Sequence, residues 1–252
     1  MASFRSDCEG FARRDMLRLT AGAGLLTAVP ELAWAQVWDV KSLKIATIGS
    51  GREGGALGTL FAQAGHKVMF SSRHPENLKE LVASAGPNAS AGTVGDAVKF
   101  ADVVLLVVPY TAVEQIGKEN GAELAEKKLV MDVSNPNPRR DGEEFVKKVN
   151  DEGGAGLVSA KLLPGAKIVR AFNGINFDKL AEDTKKSDKL GVPIAGDDKG
   201  AIDVAEALSR EIGFEPVLIG GLVMGKYLVW GTPPLTGEHS PAELKQIAPT
   251  LK

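Results

Sequence analysis

The sequence predicts an α/β fold of the Rossmann type: a doubly wound, mainly parallel sheet with a short helical C-terminal extension. Three observations predict it. From residue 43 onward, short apolar runs alternate with helix-like stretches, as in successive βαβ units. A glycine-rich turn joins the first run to the first helix, with Gly49, Gly51 and Gly54 at the G-x-G-x-x-G spacing. Several apolar runs also end in Pro- or Asn-bearing loops, at the edge where doubly wound sheets hold their ligands.

Composition bounds the reading. The 252 residues, 44% hydrophobic and 25% charged, suit one α/β domain with a small extension. A formal charge of −2 argues against a general nucleic-acid binder, which carries a basic excess. Cys8 is the only cysteine and His66, His74 and His239 the only histidines. The body therefore has no disulfide framework and no thiolate nucleophile, and a metal site is not expected.

Residues 1–35 read as an address. Arg13-Arg14 precedes a weakly apolar Gly/Ala/Thr-rich run from Leu19 to Val29, then Pro30 and the small-x-small pattern Ala33-Trp34-Ala35. This layout is that of a signal peptide cleaved after Ala35, and the arginine pair resembles a twin-arginine export signal. The run falls short of the roughly 20 apolar residues needed to span a bilayer, so no stable membrane anchor is expected. Twin-arginine export carries folded proteins, the route required by a protein that takes up a nucleotide in the cytoplasm and works in the periplasm. The expected domains are the leader at 1–35, a nucleotide-binding domain at 36–220 and a helical extension at 221–252.

The elements follow in order. Val40 to Ile48 is the first strand, ending in the apolar run of a strand covered on both faces. Gly49 allows the tight turn, Gly51 lets backbone approach a pyrophosphate, and Gly54 lets the next helix pack close. That helix, Gly54 to Ala64, points its free N–H groups and partial positive charge at the phosphates. Gly65 ends it, and Lys67 to Ser71 forms the second strand. An NAD site normally carries Asp or Glu at the end of this strand. Here Ser71-Ser72-Arg73-His74 stands instead. Arg73 can grip a 2′-phosphate bidentately and Ser72 can donate to it, which favours NADP(H). Pro75 opens a helix to about Ala85.

Asn88 to Thr93 is the third strand, Val94 to Phe100 a short helix, and Asp102 to Val108 a buried fourth strand stopped by Pro109. Val108, Pro109 and Tyr110 are expected beside the nicotinamide ribose. A helix from Thr111 to about Asn120 leads to the fifth strand, Leu129 to Val133. It ends in Ser134-Asn135-Pro136-Asn137-Pro138, a stiff loop placed to touch nicotinamide or substrate. Arg139 and Arg140 follow, either receiving an acidic substrate or simply solvated. Gly154 to Leu163 reads as a helix and Lys167 to Ala171 as the sixth strand. Asn173 stands at its ligand end, where its amide either meets the carboxamide or forms a turn with Gly174. Val192 to Ala195 is the seventh strand, Asp198 caps a helix to Ile212, and Glu215 to Ile219 is the eighth. Gly220 to Trp230 reads as a helix near the cleft, and Ser240 with Glu243 forms a capping box on a terminal helix.

Several stretches together resemble one family. They are Gly49-Ser-Gly-Arg-Glu-Gly, Ser71-Ser-Arg, Val130-Met-Asp-Val-Ser-Asn-Pro, Ala171-Phe-Asn and Val192-Pro-Ile-Ala-Gly-Asp-Asp. The set is similar to the NADPH-dependent oxidoreductases that reduce the deazaflavin coenzyme F420, and equally to the oxidoreductase domain of STEAP metalloreductases, over residues 43 to 222. The resemblance implies that Ser50, Gly51, Arg52, Glu53, Ser72 and Arg73 hold NADP(H), and that Val108, Pro109 and Asn173 line the nicotinamide. With Gly49, Gly54 and Asn135 these form the expected cofactor site. The segment after Gly220 departs from the family.

The chemistry expected is hydride transfer between NADPH and a small-molecule acceptor, a flavin or deazaflavin, which depends on positioning more than on an acid or base. Two rivals stand beside it. One is reduction of a small carbonyl or imine, with Tyr110, Lys161 or Tyr227 as proton donor; the other is a non-catalytic NADP-binding redox sensor. Catalytic residues are not assigned, and the oligomeric state, a homodimer included, is left open.

Overall fold

The computed structural model describes residues 40–185 and 187–252. The leader expected over residues 1–35 lies outside the described residues. The order is β1 (Ile45–Ile48), α1 (Arg52–Gln63), β2 (Val68–Ser71), α2 (Lys79–Ala85), β3 (Ala89–Gly92), α3 (Val94–Phe100), β4 (Val103–Leu106), α4 (Val113–Ala125) and β5 (Leu129–Asp132). Then come α5 (Pro138–Asp141), α6 (Glu143–Asp151), α7 (Ala155–Leu162), β6 (Ile168–Arg170), α8 (Phe177–Asp183), β7 (Gly191–Gly196), α9 (Lys199–Glu211), β8 (Glu215–Gly220) and α10 (Pro241–Ile247).

The eight strands of the described residues join one sheet in the order β3-β2-β1-β4-β5-β6-β7-β8. β1 to β6 are parallel, β7 runs against β6, and β8 is parallel to β7. The strand order reverses at β1 and β4, the switch point beyond which such sheets bind ligands. Because β7 is reversed, its first residues share an edge with the last residues of β6; Arg170 pairs with Ala195 and Val169 with Gly196.

Alternation along each strand feeds two cores. Ile45, Phe70, Leu105, Met131 and Ile194 face one layer, with α1 and α9 over them. Ala46, Ile48, Val104, Leu106 and Val130 face the other, under α3, α4 and α7. Burial of both faces explains why these strands read as continuous apolar runs. Gly49 has φ +94°, and a Cβ there would sit 2.2 Å from the Val107 carbonyl oxygen, so only glycine fits the turn. A Cβ on Gly54 would lie 2.1 Å from the Gly49 oxygen, which fixes how closely α1 meets β1.

Some expectations are corrected. The helix expected from Pro75 begins as a 3-10 turn, Pro75–Leu78, before α2. Tyr110–Ala112 forms another such turn ahead of α4. The helix expected over Gly220 to Trp230 is a 3-10 segment, Leu222–Tyr227. Its backbone presses against other chain: a Cβ on Gly225 would meet Arg170 Cδ at 2.7 Å and Gly156 Cα at 2.9 Å. Helices α6 and α8 were not expected. Thr93 and Ser240 form capping boxes, and Asp198 caps α9 through the Ala201 amide.

Candidate functional site

The site is built on the strand ends around the β1/β4 switch point. Gly51 is the N-cap of α1 and offers no side-chain cap, so the first N–H groups of the helix are left for a ligand. A Cβ placed on Gly51 meets no protein atom within 4 Å; the space there opens onto the ligand side. Ser50 Oγ is hydrogen-bonded to Thr47 Oγ1 at 2.8 Å, which ties the turn to β1.

A cleft of about 290 Å³ begins at this turn. Its walls bring together Gly51, Arg52, Glu53, Gly54, Val108, Pro109, Asn135 and Asn173, and add Arg140, Phe172, Ile175, Asn176 and Trp230. Eight of the expected cofactor residues therefore converge. Gly49 lies beneath the turn. Ser72 and Arg73 stand apart at the end of β2, Arg73 exposed and Ser72 half-buried. Ser72 Oγ accepts from the His74 amide at 3.0 Å. No carboxylate precedes Glu76, and His74 lies 3.3 Å from it, so the end of β2 presents a cation where a ribose-binding acid would stand.

The end of the cleft at Asn135 and Asn173 is held from below by a buried polar network that no local sequence pattern signals. Asp132 and Arg170, both fully buried, pair at 2.7 Å. Asp132 accepts further from the Ser134 amide at 2.9 Å and from Ser159 Oγ at 2.7 Å. Arg170 also donates to the Ser134 carbonyl, to Asn135 Oδ1 at 2.9 Å and to the Leu228 carbonyl at 3.0 Å. Asn135 Nδ2 donates to the Asn173 carbonyl at 2.6 Å, and Asn173 Nδ2 to the Asp132 carbonyl at 3.0 Å. Both terminal nitrogens of Arg170 and both oxygens of Asp132 are thus hydrogen-bonded, which offsets the cost of burying the charges, while Arg170 Nε stays without a protein partner. The pair fixes the β5 loop, Asn173 and the C-terminal segment in one arrangement.

Phe172, just before Asn173, has φ +58°, an uncommon conformation for a bulky residue. Its ring sits edge-on to Phe214 at 5.4 Å. That packing holds the strained residue and aims Asn173 at the cleft. Asn173 Oδ1 is buried with no protein partner, and so is Glu53 Oε1. Buried unpartnered acceptors are rare, and the carboxamide of a nicotinamide carries an N–H donor whose hydrogen bond Asn173 Oδ1 could accept. With the open α1 N-terminus, they make the cleft fit a dinucleotide.

Other expected residues fall elsewhere. Tyr110 does not border the cleft; it is buried, its hydroxyl donating to the Ala155 carbonyl at 2.6 Å and lying 3.0 Å from Ser159 Oγ. Burial, then the nearby Asp132 charge, pushes its hydroxyl well above the usual tyrosine range. Lys161 pairs with Glu152 on the surface, and the Tyr227 hydroxyl bonds the Lys252 carbonyl. None of the three candidate proton donors is therefore at the cleft. Arg140 lines it but is paired with Asp141 at 2.8 Å and donates to the Asn135 carbonyl. The Arg140 hydrogen bonds hold the Asp141 carboxyl below the usual range.

A second cavity, of about 410 Å³, adjoins the cleft and shares Phe172, Asn173, Ile175, Asn176 and Trp230 with it. Val192 and Pro193 from the reversed start of β7 and Pro234 and Leu235 from the C-terminal segment complete its apolar wall. Trp230, 61% exposed, stands where the two hollows meet.

Fold and cleft together define a Rossmann-type dinucleotide oxidoreductase. Residues 44–136 match the family model described as NADP oxidoreductase coenzyme F420-dependent. An F420-dependent NADP reductase of Methanothermobacter thermautotrophicus is 29% identical over 206 residues, covering 77% of this chain and 88% of the relative. A hypothetical protein of Sinorhizobium meliloti superposes with a TM-score of 0.67 at 28% identity, covering 78% of this chain and 95% of that one. An imine reductase of Myxococcus stipitatus in complex with NADP+ shares the fold alone, with a TM-score of 0.54, 18% identity, and coverage of 82% of this chain and 60% of that one. Over its Rossmann core the chain is therefore similar to the NADP oxidoreductase coenzyme F420-dependent family.

Proposed function

We propose that the protein moves a hydride between NADP(H) and a planar acceptor of the flavin or deazaflavin type, coenzyme F420 included. The observation that carries this reading is the second cavity. It opens beside Asn173, and the exposed Trp230 ring stands at its junction with the cleft. Apolar side chains (Phe172, Ile175, Val192, Leu235) form one part of its wall and Lys179, Asp183, Glu238 and His239 another. A flat acceptor finds there a stacking surface and shelter from water, both of which hydride transfer uses. NADPH supplies the hydride. Asn173 and the α1 N-terminus orient the dinucleotide, and the network of Asp132, Arg170 and Asn135 holds Asn173 in place.

Fluorescence titration of the NADP+-loaded protein with flavin mononucleotide and with a deazaflavin tests the reading. Saturable quenching is expected, lost in Trp230→Phe; no saturable change with either acceptor would refute it.

A second reading, reduction of a small carbonyl or imine, loses Tyr110, Lys161 and Tyr227 as donors. It draws support from Glu53, a cleft carboxyl that burial pushes up to about 7 and that could release a proton near neutrality. Glu53→Gln separates the readings: turnover with an imine would fall at least tenfold, whereas flavin reduction at pH 6 would be preserved.

We also infer that the protein is exported folded to the periplasm with its nucleotide aboard. The Arg13-Arg14 leader and the dinucleotide cleft support this jointly. Protein recovered from the periplasm should release NADP on denaturation; recovery only from the cytoplasm, or without nucleotide, would contradict it.

A further inference from the structure

Glu53 is the least expected residue of the cleft. It occupies the first turn of α1, the turn whose free amides await the diphosphate. The helix dipole favours a carboxylate there, yet Glu53 lines the cleft read as the site of an anionic ligand. One of its oxygens, Oε1, is buried and unpartnered.

No cation on the described residues neutralises it. Arg52, its neighbour in the turn, lies over the Phe177 ring at 5.4 Å. Arg140, across the cleft, is committed to Asp141. On α8, Asp178 adds a like charge, while Lys179 pairs with Glu238 and Glu182 is exposed. Asp183 of the same helix lines the acceptor cavity. On α2, which packs against α1, Lys79 and Glu80 are exposed. Burial and then Asp178 push the Glu53 carboxyl up to about 7, against a hydrogen bond from the Phe177 backbone that lowers it.

We propose that Glu53 binds the dinucleotide as a neutral carboxylic acid, so that NADP(H) binding takes up one proton and weakens as the solution becomes alkaline. The proposal rests on the dinucleotide reading of the cleft. A phosphate-bearing ligand brought next to Glu53 raises the cost of its charge further. Below neutrality the acid is already protonated, and binding requires no uptake. Above about 7 the free protein must first acquire a proton, and affinity falls by up to tenfold per pH unit. The neutral acid also gains an O–H donor, so Oε1 no longer faces the phosphates as a bare acceptor.

The 2′-phosphate acts in the opposite direction, since its second ionisation near about 6 strengthens its pairing with Arg73 as pH rises. His74 stands beside Arg73 and is the necessary control.

The test measures NADPH affinity from pH 5.5 to 9 for the wild type, Glu53→Gln and His74→Gln. The wild type and His74→Gln should weaken above neutrality, while Glu53→Gln should stay level and bind at pH 8.5 about as well as the wild type at pH 6.5. A wild type without the fall, or a fall that persists in Glu53→Gln, would overturn the proposal. Calorimetry on the wild type in two buffers of different ionisation enthalpy gives an answer without any variant. About one proton should be taken up per NADPH at pH 8.5, and none would refute the coupling. Absence of NADPH binding at every pH would defeat the cofactor assignment itself, a result distinct from pH-independent binding.

Discussion

The two ends of the dinucleotide cleft are built in opposite ways. The side read as the adenosine end is open backbone and surface side chains: the glycine turn and, apart from it, half-buried Ser72 and exposed Arg73. The end proposed for the nicotinamide is wired into the core, with Asn135 and Asn173 held by the buried Asp132–Arg170 pair. On this reading one end would distinguish ligands by the exposed Arg73 charge, which can be removed without disturbing the fold. The other fixes geometry, and its residues cannot be changed without a cost in stability. Substitutions at the two ends should separate affinity from stability.

The largest effect is expected at Arg170→Met. It leaves Asp132 buried and uncompensated, and should lower unfolding free energy by about 3–5 kcal/mol in denaturant titrations. A change below about 1 kcal/mol would show that the network does not support the nicotinamide end. Next is Arg73→Ala. Loss of a charge-assisted hydrogen bond of about 1.5–3 kcal/mol should weaken NADPH binding roughly 10- to 100-fold, with NADH affinity and melting temperature nearly unchanged. Equal losses for both nucleotides would reverse the NADP assignment.

Asn173→Ala should be milder, about 1–2 kcal/mol, but it should blur the division by lowering both stability and affinity, for NADPH and NADH alike. The smallest effect belongs to Trp230→Ala. Removal of an exposed stacking surface worth about 0.5–1.5 kcal/mol should raise the acceptor KM a few-fold and leave NADPH affinity unchanged.

The same contrast governs what the sequence revealed. The adenosine end is local: Gly49, Gly51 and Gly54 sit within six residues, and Ser72 and Arg73 directly follow β2. Spacing alone places such residues. The nicotinamide end depends on pairing across the fold, with Asp132 and Arg170 separated by 38 residues. A charged residue at each of two strand ends was the available signal, but their contact depends on β5 lying beside β6.

Antiparallel β7 was equally hidden, because a buried apolar strand reads the same in either direction. The apolar content of Gly220 to Trp230 suggests a helix, and within it Leu222–Tyr227 is a 3-10 segment. Its 3-10 form follows from close contacts with Gly156 and Arg170, which no local pattern encodes. Helix α8 was missed for a related reason. It is short, and its N-cap Asn176 makes no side-chain capping bond. Glu53 was placed in the cofactor site by resemblance alone; its burial comes from packing near Phe177 and Asp178.

The central claim is that the acceptor is a flat redox ring stacked beside the nicotinamide, and stopped-flow oxidation of protein-bound NADPH tests it most directly. Flavin, deazaflavin, carbonyl and imine acceptors would be mixed in turn with the preloaded protein while the reduced-nicotinamide absorbance is followed. Rapid, saturable oxidation by the flavin or deazaflavin, slowed in Trp230→Ala, is the predicted result. Oxidation by carbonyl or imine acceptors alone would contradict the account.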